Sequence, residues 1–422
     1  MESILHYVWQ NRLFDENLTT ADGLSIEVID VGRLNSDAGP DFFNAKVKID
    51  GKLWAGNVEI HTAASDWERH RHAEDRAYDS TILHIVGRAD RKDVTNSQGR
   101  QIPQCAITYP DYIDKNYEYL FRSQSDIPCG SFISTLSPIH ITSWMQNLLF
   151  ERLQTKTERI EHLLELFNNS WEDVFYVLLT RNFGFGLNSD SFERLALSLP
   201  YAYLRKHGDN LFQIEALLFG QAGLLDEVKQ SDEYFSRLKQ EYDFFKSKFT
   251  LRPLESSIFK TMRSRPSAFP QIRVAQLAAL LHFTQGLFSK VINCEDMGRI
   301  RLMFHVNASE YWQTHYTFGQ VSDKKSKYLG DASLDIILIN TVAPILFAYG
   351  KSINDDTYCE RAMRFLETIK AERNTITRQF AGYGIPMNTA FDSQATIQLK
   401  KEYCIPRKCF QCRIGHQLLK KK

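Results

Sequence analysis

The chain has no excess charge of either sign: 51 Lys and Arg residues balance 51 Asp and Glu residues over 422 positions. Without a net field there is no long-range pull on a polyanion, so any nucleic-acid contact must come from a local patch. Cysteine is scarce, at seven residues, and the first residues carry no basic stretch leading into a long apolar run. Neither a disulfide framework nor a secretory signal is expected. The most apolar segment, Leu334 to Tyr349, contains Asp335, Asn340 and Pro344 and reads as too short for a bilayer core of about 30 Å. These absences predict a cytoplasmic protein with no membrane span. There is no visible internal repeat, and Lys420-Lys421-Lys422 alone is of low complexity.

What is present falls into three regions. Residues 2–11 place Ile4, Leu5, Val8 and Trp9 on one helical stripe. Leu24 to Val31 alternates polar and apolar residues, as do Phe42 to Ile49 and Leu53 to His61; Asp50-Gly51 between the last two is a hairpin turn. On the third of these strands Trp54, Val58 and Ile60 face one way, and Asn57, Glu59 and His61 face the other. Ser65-Asp-Trp-Glu68 has the form of a capping box opening a helix to about Tyr78. Thr81 to Val86 and Gln101 to Thr108 are further strands. The expected fold class is therefore α+β. A small mixed α/β domain (helix, three strands, helix, strand) spans 1–130, a large all-helical domain spans 131–403, and a short cysteine-rich tail spans 404–422. A kink is expected at Pro344.

Four constellations carry candidate chemistry. Pro40-Asp41 opens the second strand, and Glu59-x-His61 closes the third. Two neighbouring carboxylates repel each other and so favour a divalent cation such as Mg²⁺ or Mn²⁺, which can activate water and stabilise charge on a phosphoryl group. Next comes His70-x-His72-x-x-Asp75, whose simpler reading is a solvated helix face; His72 and Asp75, with Glu68, share one side of the expected helix. The third is Cys404, Cys409 and Cys412. The C-x2-C half of this run suits Zn²⁺ or an Fe–S cluster, with His416 or the distant Cys129 as the fourth ligand. The fourth is the aromatic stretch Tyr311 to Gly319, read as a core turn in preference to a base-stacking platform. Arg263, Arg265 and Arg273 are read as a solvated loop in preference to phosphate contacts.

The order of elements, with Asp41 opening a strand and Glu59-x-His61 on the next, resembles the core of the PD-(D/E)XK nuclease superfamily over roughly residues 2–90. The resemblance implies a metal-dependent nuclease or phosphodiesterase acting on nucleic acid, with Asp41 and Glu59 as metal ligands. His61 stands where that superfamily usually has Lys, and a neutral imidazole is not a permanent cation. The alternative is therefore an inactive nuclease-fold scaffold binding nucleic acid or protein. A third class is a hydrolase using Glu59, His61, His72 and Asp75 around a transition metal. Some nucleases of that superfamily carry an Fe–S cluster on one distant and three clustered cysteines, although the spacing here differs. Gly39-Pro-Asp-Phe, Val58-Glu-Ile-His61, Ser65-Asp-Trp67, Thr314-His-Tyr316, Ser393-Gln394 and the terminal cysteine run also resemble an uncharacterised bacterial family catalogued as a domain of unknown function. That second resemblance implies that the three regions form one architecture.

Overall fold

Alternation along the first hundred residues builds a mixed seven-stranded sheet. Its strands are β1 (Leu18–Thr19), β2 (Ser25–Asp30), β3 (Arg33–Leu34), β4 (Phe42–Ile49), β5 (Lys52–Ala63), β6 (Thr81–Arg88) and β7 (Gln104–Ala106). The spatial order is β1-β2-β4-β5-β6-β7, with β3 on β4. β2, β4 and β5 are antiparallel, whereas β5, β6 and β7 run parallel. The computed structural model describes residues 2–226, 231–262 and 264–422. The chain divides into two units, Met1–Leu136 with Lys401–Lys422, and Ser137–Lys400.

Helix α1 (Glu2–Gln10) lays Ile4, Leu5, Val8 and Trp9 onto one face of the first unit's sheet, against Val47, Val58, Ile60 and Ile85. The opposite face, expected to be polar, is also covered. Trp67, Tyr78, Val94 and Ile102 form a second, smaller cluster there, so Glu59 and His61 are both buried. β4 carries a bulge between Phe42 and Ala45, where Asn44 adopts φ +59°. Gly32 accommodates it: a Cβ there would lie 2.6 Å from the Phe43 carbonyl oxygen. The bulge bends the strand start and re-aims Asp41.

The expected helix over 65–78 does not form as one piece. α2 (Asp66–Arg69) stops at once, Arg71 turns left-handed at φ +61°, and two 3₁₀ turns follow at His72–Glu74 and Arg76–Tyr78. Ser65 makes no side-chain cap; its hydroxyl donates to Asp90 at 2.9 Å. The break has a packing cause. Trp67 and His72 must both point at the sheet, and a continuous helix would put these two residues, five positions apart, on different faces.

The tail 404–422, set apart by sequence, is part of the first unit. Phe410 stacks on Tyr7 and Tyr117, and Asn116 on α3 (Asp111–Arg122) donates to the Leu418 and Lys421 carbonyls. Aromatic burial and these backbone bonds join it to the N-terminal fold.

The second unit is helical throughout, apart from a two-stranded ribbon at His315–Thr317 and Gln320–Val321. Several of its helices start at side-chain caps that answer the unsatisfied N–H groups of a first turn: Asn210 accepts from Gln213, Asp232 from Phe235, and Asn374 and Thr389 form capping boxes. The kink expected at Pro344 takes the form of a π-helical turn, Leu338–Val342, immediately before it, which absorbs the missing proline N–H. The helix spans Asp331–Ile353, longer than the apolar run suggested. By length and composition it could cross a bilayer, but 67% of its most apolar window is buried in the unit, as in a core helix. Trp312 and Phe318 are core residues, in line with the core-turn reading of 311–319. Arg273 is turned inward over the Phe185 ring at 4.1 Å and bonds Gln276. Arg265 is exposed, and Arg263 lies outside the described residues.

Candidate functional site

Three parallel strands place a polar row on the second face of the sheet. Glu59 on β5 is in register with His84 on β6, and His84 with Gln104 on β7. His61, two residues beyond Glu59, shares its face. His70 and His72 come down from the broken crossover onto this row. The His61 Nδ1 lies 2.9 Å from His84 Nε2, and His84 Nδ1 lies 3.3 Å from Gln104 Oε1.

This chain fixes the tautomers. The Gln104 amide nitrogen donates to the Arg91 carbonyl at 2.7 Å, which turns Oε1, an acceptor only, towards His84. His84 therefore carries its proton on Nδ1 and offers a lone pair at Nε2. His61 then donates through Nδ1 and keeps its Nε2 lone pair open. Both imidazoles are held neutral. Burial pushes the His84 pKa down to about 4. Burial, reinforced by His84, His72, His70 and Arg69, pushes His61 far below its ordinary value.

The open lone pair of His61 is where the site converges. His61 Nε2 lies 3.2 Å from His70 Nδ1 and 3.5 Å from Glu59 Oε1. His72 Nε2 is 3.3 Å from the same Glu59 oxygen; it is fully shielded from solvent and makes no hydrogen bond. Ligand atoms of His61, His70 and His72 all lie within 4.8 Å of one another. The His72 ring is fixed by stacking on Tyr78, centroids 3.8 Å apart. Three imidazole nitrogens and one carboxylate oxygen make a donor set suited to Zn²⁺, Mn²⁺ or Fe²⁺. The Gln104–His84–His61 chain orients a ligand in the manner of an outer shell. An orphaned buried nitrogen at its centre fits a cation that would complete it.

The other oxygen of Glu59 faces a second group. Glu59 Oε2 accepts from the Asp41 N–H at 3.0 Å, and Asp41 Oδ2 accepts from the Ile60 N–H at 2.9 Å. Asp41 Oδ2 is also 3.1 Å from His6 Nε2, and ligand atoms of Glu2, His6 and Asp41 fall within 4.8 Å of one another. Burial pushes the Glu59 carboxyl up, opposed by His72. Burial disfavours charge on His6 too, yet the Asp41 carboxylate beside it raises its pKa above the ordinary value.

Asp41, Glu59, His61 and His72 are thus brought together, and His70 joins them in spite of its solvated-face reading. Asp75 serves elsewhere: it is exposed and accepts from the Ala77 N–H at 2.9 Å, capping the next turn. Glu68 pairs with Arg91. Glu2, His6, His84 and Gln104 escaped the sequence reading. His84 had one signal, a lone imidazole inside an apolar strand. His6 had none beyond sharing a helix with the apolar stripe.

These features define a mixed α/β protein with a histidine–carboxylate site inside its sheet unit, and a separate helical unit. Residues 2–375 match the family described as "Protein of unknown function (DUF2851)", and the chain belongs to that family. No curated protein and no solved structure matches it.

Proposed function

We propose that the protein is a metal-dependent hydrolase acting on phosphodiester bonds of nucleic acid, with the ion held by Glu59, His61, His70 and His72. The observation that carries this reading is the grouping of the His61, His70 and His72 ligand atoms within 4.8 Å of one another, with His61 and His72 each beside Glu59 Oε1. The phosphodiester class rests on the nuclease-like order of elements in the sequence. The imidazole-rich donor set shifts the expected ion from Mg²⁺, which prefers oxygen ligands, towards Mn²⁺ or Zn²⁺. A bound ion of this kind supplies Lewis acidity and a low-pKa water.

The chain's own residues have distinct parts. His61, neutral and tautomer-locked, is a ligand and takes no part as a phosphate-facing cation. Asp41 sits between the two groups and holds His6. His6 Nε2 lies 3.1 Å from Asp41 Oδ2, and that carboxylate, against the effect of burial, raises the His6 pKa, which suits a general acid for a leaving oxygen. A second reading, a metal-stabilised scaffold without catalysis that binds nucleic acid or protein, draws support from burial: Glu59 is 5% and His61 1% exposed.

Metal content of the purified chain, followed by hydrolysis assays on DNA, RNA and a small chromogenic phosphodiester with Mn²⁺, Zn²⁺ or Mg²⁺, tests the proposal. Turnover lost by about 10²-fold or more in His6→Gln with the metal retained is expected for a general acid. Stoichiometric metal with no turnover on any substrate would leave the scaffold reading.

A further inference from the structure

We propose that Cys129, Cys404, Cys409 and Cys412 are the four thiolate ligands of one metal centre, distinct from the histidine–carboxylate site. All four are buried, between 6% and 8% exposed, and no two of the chain's cysteines are joined as a disulfide. Three lie within nine residues of the tail; Cys129 lies far away in sequence and in the same unit.

Dedicated contacts hold the tail against the segment leading into Cys129. Arg407 adopts a left-handed backbone at φ +57° and bonds three carbonyls, those of Leu120 at 3.3 Å, Ser123 at 3.0 Å and Ser125 at 2.9 Å. This ties the loop between Cys404 and Cys409 to the segment leading into Cys129. Phe410, between the last two cysteines, is sandwiched among Tyr7, Tyr117 and Phe121. Gly415 on the C-terminal helix Arg413–Leu419 presses on Cys409 so closely that a Cβ would sit 2.2 Å from its carbonyl oxygen. Cys129 itself opens the short helix Gly130–Ile133. The His416 ring, the other candidate for the fourth ligand, is turned to the Tyr7 hydroxyl, 2.7 Å from Nδ1.

The thiols sense one another. Burial raises the Cys129 thiol, and charge on Cys412, Cys404 and Cys409 raises it further. Burial and Cys412 push Cys409 up to about 11, against the pull of Arg407. The charge coupling places Cys129 near Cys412, Cys404 and Cys409, and Cys409 near Cys412; buried sulfurs so placed are a donor set for one cation, whose binding displaces the thiol protons. An all-sulfur donor set selects Zn²⁺ or an iron–sulfur cluster over Mg²⁺, Ca²⁺ or Mn²⁺.

The full chain, purified anaerobically, is analysed for zinc, iron and acid-labile sulfide, with its visible spectrum. Colourless protein with zinc, or coloured protein with iron and sulfide in equal amounts, is the expected result. That metal should be lost in Cys129→Ser and in Cys409→Ser and retained in His72→Phe, which separates this centre from the histidine site. If the serine variants do not fold, the wild-type chain stripped of metal and titrated with Co²⁺ is read instead for thiolate-to-cobalt charge transfer. Protein holding neither zinc nor iron and giving no such band, or zinc or iron content unchanged in both serine variants, would overturn the proposal.

Discussion

The two units bury polar groups in opposite ways. In the helical unit, Glu215 is 1% exposed and accepts from the Tyr234 and Ser309 hydroxyls. Gln221 donates to the Ser198 and Arg252 carbonyls and accepts from Tyr242; Gln276 donates to the Lys327 and Tyr328 carbonyls. Each group is answered by donors or acceptors from its own surroundings. Among the described residues, atoms there without a hydrogen bond, such as Gln271 Oε1 and His207 Nε2, lie on separate segments. In the sheet unit the imidazole ligand atoms of His61, His70 and His72 lie within 4.8 Å of one another, and His72 Nε2 makes no hydrogen bond. A polar interior closed by its own hydrogen bonds is architecture. One that points several basic atoms at a common point is built for something that arrives from outside.

The largest expected effect tests the closed kind. Burial, opposed by its hydrogen-bond donors, raises the Glu215 pKa from 4.5 to about 7. The folded state therefore holds this proton more tightly than the unfolded state. Its contribution is fully present below pH 4.5 and is lost as pH rises through 7, a swing of about 3 kcal/mol. Denaturant midpoints measured from pH 4.5 to 8 should fall accordingly, and Glu215→Gln should flatten the slope. An unchanged slope in that variant would show that Glu215 is not a closed group.

The open kind should respond to the ligand and hardly to its own loss. His72→Phe keeps the stack on Tyr78 and removes the orphaned nitrogen, so the metal-free protein should change in stability by less than about 1 kcal/mol. Affinity for Zn²⁺ or Mn²⁺ by calorimetry should fall at least about 10-fold. Gln104→Leu, which leaves His84 and hence the His61 tautomer unanchored, should weaken binding about 10-fold without touching a ligand. Equal stability losses with and without metal would make the histidine cluster ordinary core.

Much of the sheet was legible because alternation is local. β4, β5 and β6 and the Asp50-Gly51 turn follow from period-two patterning, and with them the shared face of Glu59 and His61. The crossover was misread because Ser65 to Glu68 matches a helix start and nothing nearby announces Arg71 in a left-handed conformation. Tertiary demand from Trp67 and His72 overrides local preference there. His84 and Gln104 became visible only through strand register, and the docking of the tail beside the segment before Cys129, which the sequence offered only as one of two fourth ligands, only through contacts more than 280 residues apart. Such long-range pairings leave no periodic trace.

The smallest effect concerns that crossover. Arg71→Gly relieves a left-handed residue at a cost in unfolded-state entropy, so stability should move by no more than about 1 kcal/mol in either direction, with metal affinity unchanged. A large loss of affinity would mean that the Arg71 side chain, and not its backbone, sets the turn.

The first unit is discontinuous in sequence, with residues 137–400 threaded between its two parts. Synthesis is vectorial. The strands and α1 therefore emerge first, wait while the entire helical unit is made, and receive Phe410 and the three tail cysteines last. Until then Tyr7 and Tyr117 lack their stacking partner. The N-terminal sheet is thus committed to a long period as an incomplete nascent structure.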